Sequence, residues 1–219
     1  MVKACFAAST KVIAWCSPLL ACPGRPRLLA LLLALALAGG AYPSAQADAP
    51  AWGLPQLMAA MQTVRQATAS YSEQKFVQML KQPLQSTGRL IYVAPDRLQK
   101  ETLAPTPSEL IVIGDHLTVR QPDGKSRDLS LSQVPEIGAL IESIRATLAG
   151  DAIALSSYYT ASLSGTADDW LLQLEPRDER LRKLLTIVRI QGEGTSIRSV
   201  ETVERDGDRT EMTITPAQG

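Results

Sequence analysis

Residues Ser86–Leu103, STGRLIYVAPDRLQKETL, decide the fold. Up to Val93 the side chains alternate: Leu90 and Tyr92 point one way, Arg89, Ile91 and Val93 the other. Ala94-Pro95-Asp96 turns the chain, and Arg97–Leu103 resumes a period of two, so the stretch reads as two strands and a turn. The same grammar continues outward. Leu110-Ile111-Val112-Ile113 and Leu117-Thr118-Val119 flank Gly114-Asp115, a hairpin signal, and Pro122-Asp123-Gly124-Lys125 turns into Ser126–Leu131. Upstream, period two begins at Tyr71. Downstream it returns in Tyr158–Ser164, Asp169–Glu175, Leu184–Gln191, Ile197–Glu204 and Arg209–Thr215.

Two stretches follow a helical period instead. Leu54–Ser70 carries Pro55 in its first turn and Leu54, Leu57, Met58, Met61 and Val64 on one face. Val134–Gly150 opens with Pro135, stripes one face with Ile137, Leu140, Ile141, Ile144 and Leu148, and stops at a glycine suited to a C-cap. About ten or eleven strands with two main helices and no βαβ alternation predict an α+β fold. The architecture expected is a strongly curved antiparallel sheet, an incomplete β-barrel, with helices covering the concave face. No break in composition divides residues 48–219, which read as a single domain.

Residues 1–47 differ from the rest. They hold Lys3, Lys11, Arg25 and Arg27, no acidic residue and all three cysteines. Arg25-Pro26-Arg27 precedes Leu28–Ala38, all Leu or Ala, and Ala45-Gln46-Ala47 has the A-x-A form of a cleavage site. This order predicts a secretory signal peptide; its apolar run is shorter than the ~20 residues of a membrane span. The remaining chain carries 18 basic and 22 acidic residues and no cysteine. An oxidising compartment is expected, with a core that holds together without disulfides.

The balanced charge argues against a nucleic-acid partner. One histidine and no cysteine after residue 47 offer no zinc or iron–sulfur ligand set, so neither metal nor cofactor is expected. A hydrolase needs a nucleophile, a base and an orienter. His116 falls in a hairpin turn, and Asp168-Asp169, Asp123-Gly124 and Asp206-Gly207-Asp208 read as turn residues. Arg177–Lys183 reads as a solvated connector. No catalytic constellation is visible, and the chain is expected not to be an enzyme.

The strand faces carry the functional signal. Trp170, Leu172 and Leu174 share one face, and Leu90 and Tyr92 lie on one face of their own strand. The span 48–219 supplies one phenylalanine, two tryptophans and four tyrosines to fill a wide bent sheet. These apolar positions either pack as ordinary core or border a hollow suited to acyl chains. The candidates for a hollow are Leu90, Tyr92, Leu98, Ile141, Ile144, Trp170, Leu172 and Leu174, with Leu57 and Met61 on the covering helix.

The order of elements resembles the periplasmic lipoprotein carriers, the LolA family and LolA-like proteins. The resemblance rests on Tyr71-Ser72-Glu73 after the first helix, the strand from Gly88 to Pro95 and the hairpin around Gly114. It continues through the apolar helix ending at Gly150-Asp151, the Trp170–Pro176 strand and the late turn at Asp206-Gly207. It implies a monomeric periplasmic carrier that shields acyl chains of a lipoprotein or other acylated lipid. An inner-membrane exporter would be its donor and an outer-membrane protein its acceptor, in the service of outer-membrane biogenesis. A lipid- or partner-sensing regulatory domain is the alternative on the same fold.

One departure stands out. In the carriers an arginine precedes the strand-ending proline and ties the helical lid shut. Here that position is Ala94, and Leu98 replaces a phenylalanine three residues past the proline. Arg97 falls on the opposite strand face, so the lid is expected to close by apolar contact alone.

Overall fold

The computed structural model describes residues 52–217; the leader assigned to residues 1–47 lies outside them. Eleven strands form one antiparallel sheet: β1 Gln66–Phe76, β2 Leu84–Val93, β3 Arg97–Ala104, β4 Ser108–Ile113, β5 His116–Arg120, β6 Ser126–Ser130, β7 Tyr159–Gly165, β8 Trp170–Pro176, β9 Leu185–Glu193, β10 Ser196–Glu204 and β11 Arg209–Pro216. Their order is β6-β5-β4-β3-β2-β1-β11-β10-β9-β8-β7, so the chain lays down one half, crosses by helices, and fills the other half inward to meet β1. The sheet is not closed. The helices are α1 Leu54–Met61, α2 Pro135–Ala149, α3 Ala152–Tyr158 and α4 Glu179–Arg182. This is the predicted α+β class and curved architecture.

Register explains the inner face. Tyr92 lies opposite Leu98, Leu98 opposite Val112, Val112 opposite Leu117 and Leu117 opposite Leu129, one apolar row across five strands. On the other half, Leu163, Leu172, Ile190, Val200 and Met212 form a second row in the same way. Because side chains alternate along every strand, each row puts all its members on one face.

Helix α2 shows how far the sheet bends. The Tyr159 hydroxyl of β7 donates to the Ala139 carbonyl at 3.0 Å, and the Arg145 guanidinium donates to the Gly114 carbonyl between β4 and β5 at 2.8 Å. In a flat sheet β4 and β7 would stand on the order of 40 Å apart, given strand spacings of about 4.8 Å. Ala139 and Arg145 are only about 9 Å apart along a helix axis. The sheet therefore curls until both flanks reach the same helix.

Two clusters divide the core. The larger holds Leu57, Met58 and Met61 of α1 against Trp170, Leu172, Leu174, Val188 and Ile190. The smaller joins Ile141 of α2 to Val112, Leu117 and Leu131. Gly150 ends α2 with φ +64, and a Cβ there would stand 2.1 Å from the Met58 carbonyl oxygen. Glycine is thus required twice over, by backbone sign and by the close approach of α1. Gln62 seals the contact, donating to the Gly150 carbonyl at 3.1 Å.

The first helix is shorter than expected. It stops at Met61, and Gln66–Ser70 join β1, paired with Arg89–Val93 of β2. Ladder pairing with β2, joined from Ala69 onward by β11, outweighs a helical extension whose only apolar support was Val64, which packs on the core from the turn. The expected connector at Arg177–Lys183 contains α4, capped by Asp178, whose carboxylate accepts from the backbone N–H of Arg180 and Leu181. Asp151 caps α3 through Ile153 and Ala154. Each cap satisfies donors that a free helix end leaves open.

Candidate functional site

The hollow lies under α2 at the middle of the sheet, where the two halves meet. A cavity of about 780 Å³ sits between α2 and the inner faces of β1–β4, β10 and β11. The strands supply Leu90, Tyr92, Leu98, Leu110 and Val112 on one side and Ile197, Val200, Met212 and Ile214 on the other. Ile137, Leu140, Ile141, Ile144 and Leu148 of α2 form its roof, four residues of the stripe being intermediate or fully buried and Ile137 42% exposed. The volume lies within the range of small-molecule sites, about 300–1,000 Å³.

A second, smaller space of about 470 Å³ continues from the first, sharing Glu73, Ile137, Leu140, Ile144, Val200 and Met212 with it. Its own walls are more polar, with Lys75, Lys183, Thr202, Glu204, Asp206 and Thr210.

Five of the ten residues singled out from the sequence border the larger cavity: Leu90, Tyr92, Leu98, Ile141 and Ile144. Leu57, Met61, Trp170, Leu172 and Leu174 lie in the packed core on the β8–β9 side, at 0–1% exposure. The reason is the placement of α1, which lies on β8 and β9 and fills that side. The roof residues Ile137, Leu140 and Leu148, and Val200, Met212 and Ile214 opposite, were not among the ten. Their signal was in the sequence, since the first three belong to the same stripe as Ile141 and Ile144.

Tyr92 is an anomaly within this wall. It is 3% exposed, and its hydroxyl has no hydrogen-bond partner among the described residues. Burial pushes its pKa up; Arg65 and Arg145 oppose the shift and Asp96 adds to it. Tyr159, equally buried but bonded to Ala139, is pushed up to about 12 by burial.

Helix α2 is not held by apolar contact alone, as the sequence suggested. Arg145 bonds the Gly114 carbonyl and also pairs with Glu142 one turn back. The same hairpin is gripped by the segment leading into the helix. The Leu131 N–H donates to the Asp115 carbonyl at 2.9 Å, and the Ser130 hydroxyl donates to the Asp115 carboxylate. Ala94 contributes only its backbone, donating to the Arg65 carbonyl at 2.9 Å.

The catalytic candidates rejected on sequence sit in ordinary places. His116 is exposed at the start of β5, and Asp168 and Asp169 are exposed before β8. Glu204, Asp206 and Asp208 bring carboxylate oxygens within 4.8 Å of one another. Each has a partner that accounts for it: Lys75 for Glu204, the Asp208 N–H for Asp206, and the Gln78 N–H for Asp208. No helix among the described residues is long and apolar enough to cross a membrane.

A LolA superfamily protein from Nitrosomonas europaea is similar at 11% identity with a TM-score of 0.42, over 75% of this chain and 92% of that one. A DUF1329 family protein from Desulfovibrio piger gives 10% identity and 0.41 over 74% and 88%. MucB from the Pseudomonas aeruginosa MucA/MucB complex gives 12% and 0.35, over 74% of this chain and 55% of that one. No curated protein matches the sequence. A family model does match: residues 44–218, nearly all of the chain after its leader-like segment, fit the outer membrane lipoprotein carrier protein LolA-like family, and the chain belongs to that family.

Proposed function

We propose that this protein is a periplasmic carrier that shields the acyl chains of a lipoprotein or other acylated lipid between the inner and outer membranes. The observation that carries the reading is the hollow of about 780 Å³ roofed by the apolar stripe of α2. Burying one methylene is worth about 0.8 kcal/mol, so a long acyl chain carries on the order of 10 kcal/mol. Such a molecule needs a shielded passage through water, and Leu90, Leu98, Ile141 and Ile144 supply the shield. Arg145 takes the part of the missing arginine before Pro95, tying roof to sheet from the helix side. The cargo would come from an inner-membrane exporter and pass to an outer-membrane acceptor, the chain acting as a monomer and without catalysis.

Native mass spectrometry of protein purified after expression of the full chain tests the reading. A co-purifying acyl lipid, lost when Ile144→Trp fills the hollow, is the expected result. An empty protein that binds no acyl probe would end the carrier reading, and capture of an inner-membrane regulator by that empty protein would favour the regulatory one.

A further inference from the structure

The apolar row across β7–β11 ends abruptly at β1. Val200 faces Met212, and Met212 faces Glu73, which in turn faces Ser86. Glu73 accepts from Ser86 at 3.1 Å and from Lys100 at 2.6 Å, and the Lys100 ammonium stands 4.9 Å over the Tyr71 ring. Both members of the pair border the larger cavity, with side chains 18% and 28% exposed. A second pair, Lys75 with Glu204 at 3.1 Å, borders the smaller space together with Lys183 and Asp206. This part of the hollow thus presents three cations and three anions under the same α2 roof, while the wall formed by Leu98, Leu110 and Val112 is hydrocarbon.

A half-buried ion pair adds little to stability compared with apolar residues of the same size. Its placement on the inner wall does, however, define what can lie beside it. We propose that the Glu73–Lys100 end is a head-group subsite for a zwitterionic amphiphile, its anionic group on Lys100 and its ammonium on Glu73. This rests on the carrier reading and adds the class of head group. Each protein charge already has its opposite, so a purely anionic head meets Glu73 as well as Lys100 and gains little. A head with both signs lets the two pairs exchange partners with no net charge left buried. The acyl chain then runs from Glu73 toward Leu98 and Val112.

The test uses three single-chain lipids of equal chain length: lysophosphatidylethanolamine, lysophosphatidylglycerol and monoacylglycerol. Their Kd values are read by displacement of a fluorescent acyl probe below the micelle concentration. The expected result is binding of the zwitterion about tenfold tighter than of the anion, with the neutral lipid no tighter than the zwitterion. In a Glu73→Gln, Lys100→Met double variant the three should converge. Equal affinities for zwitterion and anion in the unaltered protein would overturn the subsite, whether or not the variant folds. A preference that survives in a folded double variant would overturn it as well. Failure of all three lipids to displace the probe would instead count against the carrier reading itself.

Discussion

Replacing Arg145 by methionine isolates the tie between roof and sheet. The variant keeps the helical propensity and most of the side-chain volume of α2 but removes a hydrogen bond of 2.8 Å to the Gly114 carbonyl, made by a charged donor. Such bonds contribute about 1.5–3 kcal/mol each. The pairing with Glu142 is lost too, at side-chain exposures of 21% and 17%, and Glu142 can turn outward to water. Taking about 2 kcal/mol for the net loss, the opening equilibrium of α2 should shift about 30-fold. Amide hydrogen exchange measures this directly, because local opening sets the exchange of the amides it exposes. Amides of Ile141–Leu148 should exchange about 30-fold faster, while those of β8 and β9, in the other core cluster, stay as they were. Acyl-probe loading should quicken in parallel. Unchanged protection in α2 would refute the tie, and equal acceleration in every strand would show a general loss of stability instead. Arg145→Lys, which keeps a charged donor, should fall between.

Other outcomes follow from the same geometry. Ala94→Arg places a donor where the lipoprotein carriers have theirs, and should slow loading and release of an acyl probe; unchanged transfer kinetics would remove that position from the closing of the roof. Tyr159 ties stability to alkaline pH. Its folded pKa of about 12 exceeds the ordinary tyrosine value of 10, so the unfolded chain loses its proton first as pH rises. Stability is unaffected below pH 10 and falls between 10 and 12, by about 3 kcal/mol at most. Urea denaturation at pH 9 and pH 11 should show this decline, absent in Tyr159→Phe. Tyr92→Phe removes a buried hydroxyl without a partner and should leave stability unchanged or raise it by about 1 kcal/mol; a clear loss in the denaturation midpoint would mean the hydroxyl is bonded in the folded protein.

The fold was written in local signals, and the site only partly so. The α2 stripe, Gly150 and the paired periods around Pro95 each had a local cause that survives folding. The reading failed where tertiary pairing overrides local pattern. Gln66–Ser70 has only Ala67 and Ala69 as inward residues, too weakly apolar to announce a strand until β2 and β11 are known to flank it. The caps Asp151 and Asp178 were legible signs of short helices, but helices of seven and four residues leave little periodicity to detect. Which inward faces border a hollow depends on curvature and on where α1 lands. Leu90 and Leu172 alternate alike along their strands, yet one borders the cavity and the other is fully buried beside α1. Arg145 was missed because its value depends on a carbonyl in a distant turn.

The unpaired flanks of the sheet have a further consequence. A closed barrel has its girth fixed by strand number and stagger, so widening it means rupturing a ladder. Here no ladder joins β6 to β7, and one helix bridges the seam through its contacts with Gly114 and Tyr159. Expansion is therefore concentrated where two side-chain bonds yield before any strand pairing does, and a bulkier occupant of the hollow would stretch the seam while the eleven-stranded wall stays intact.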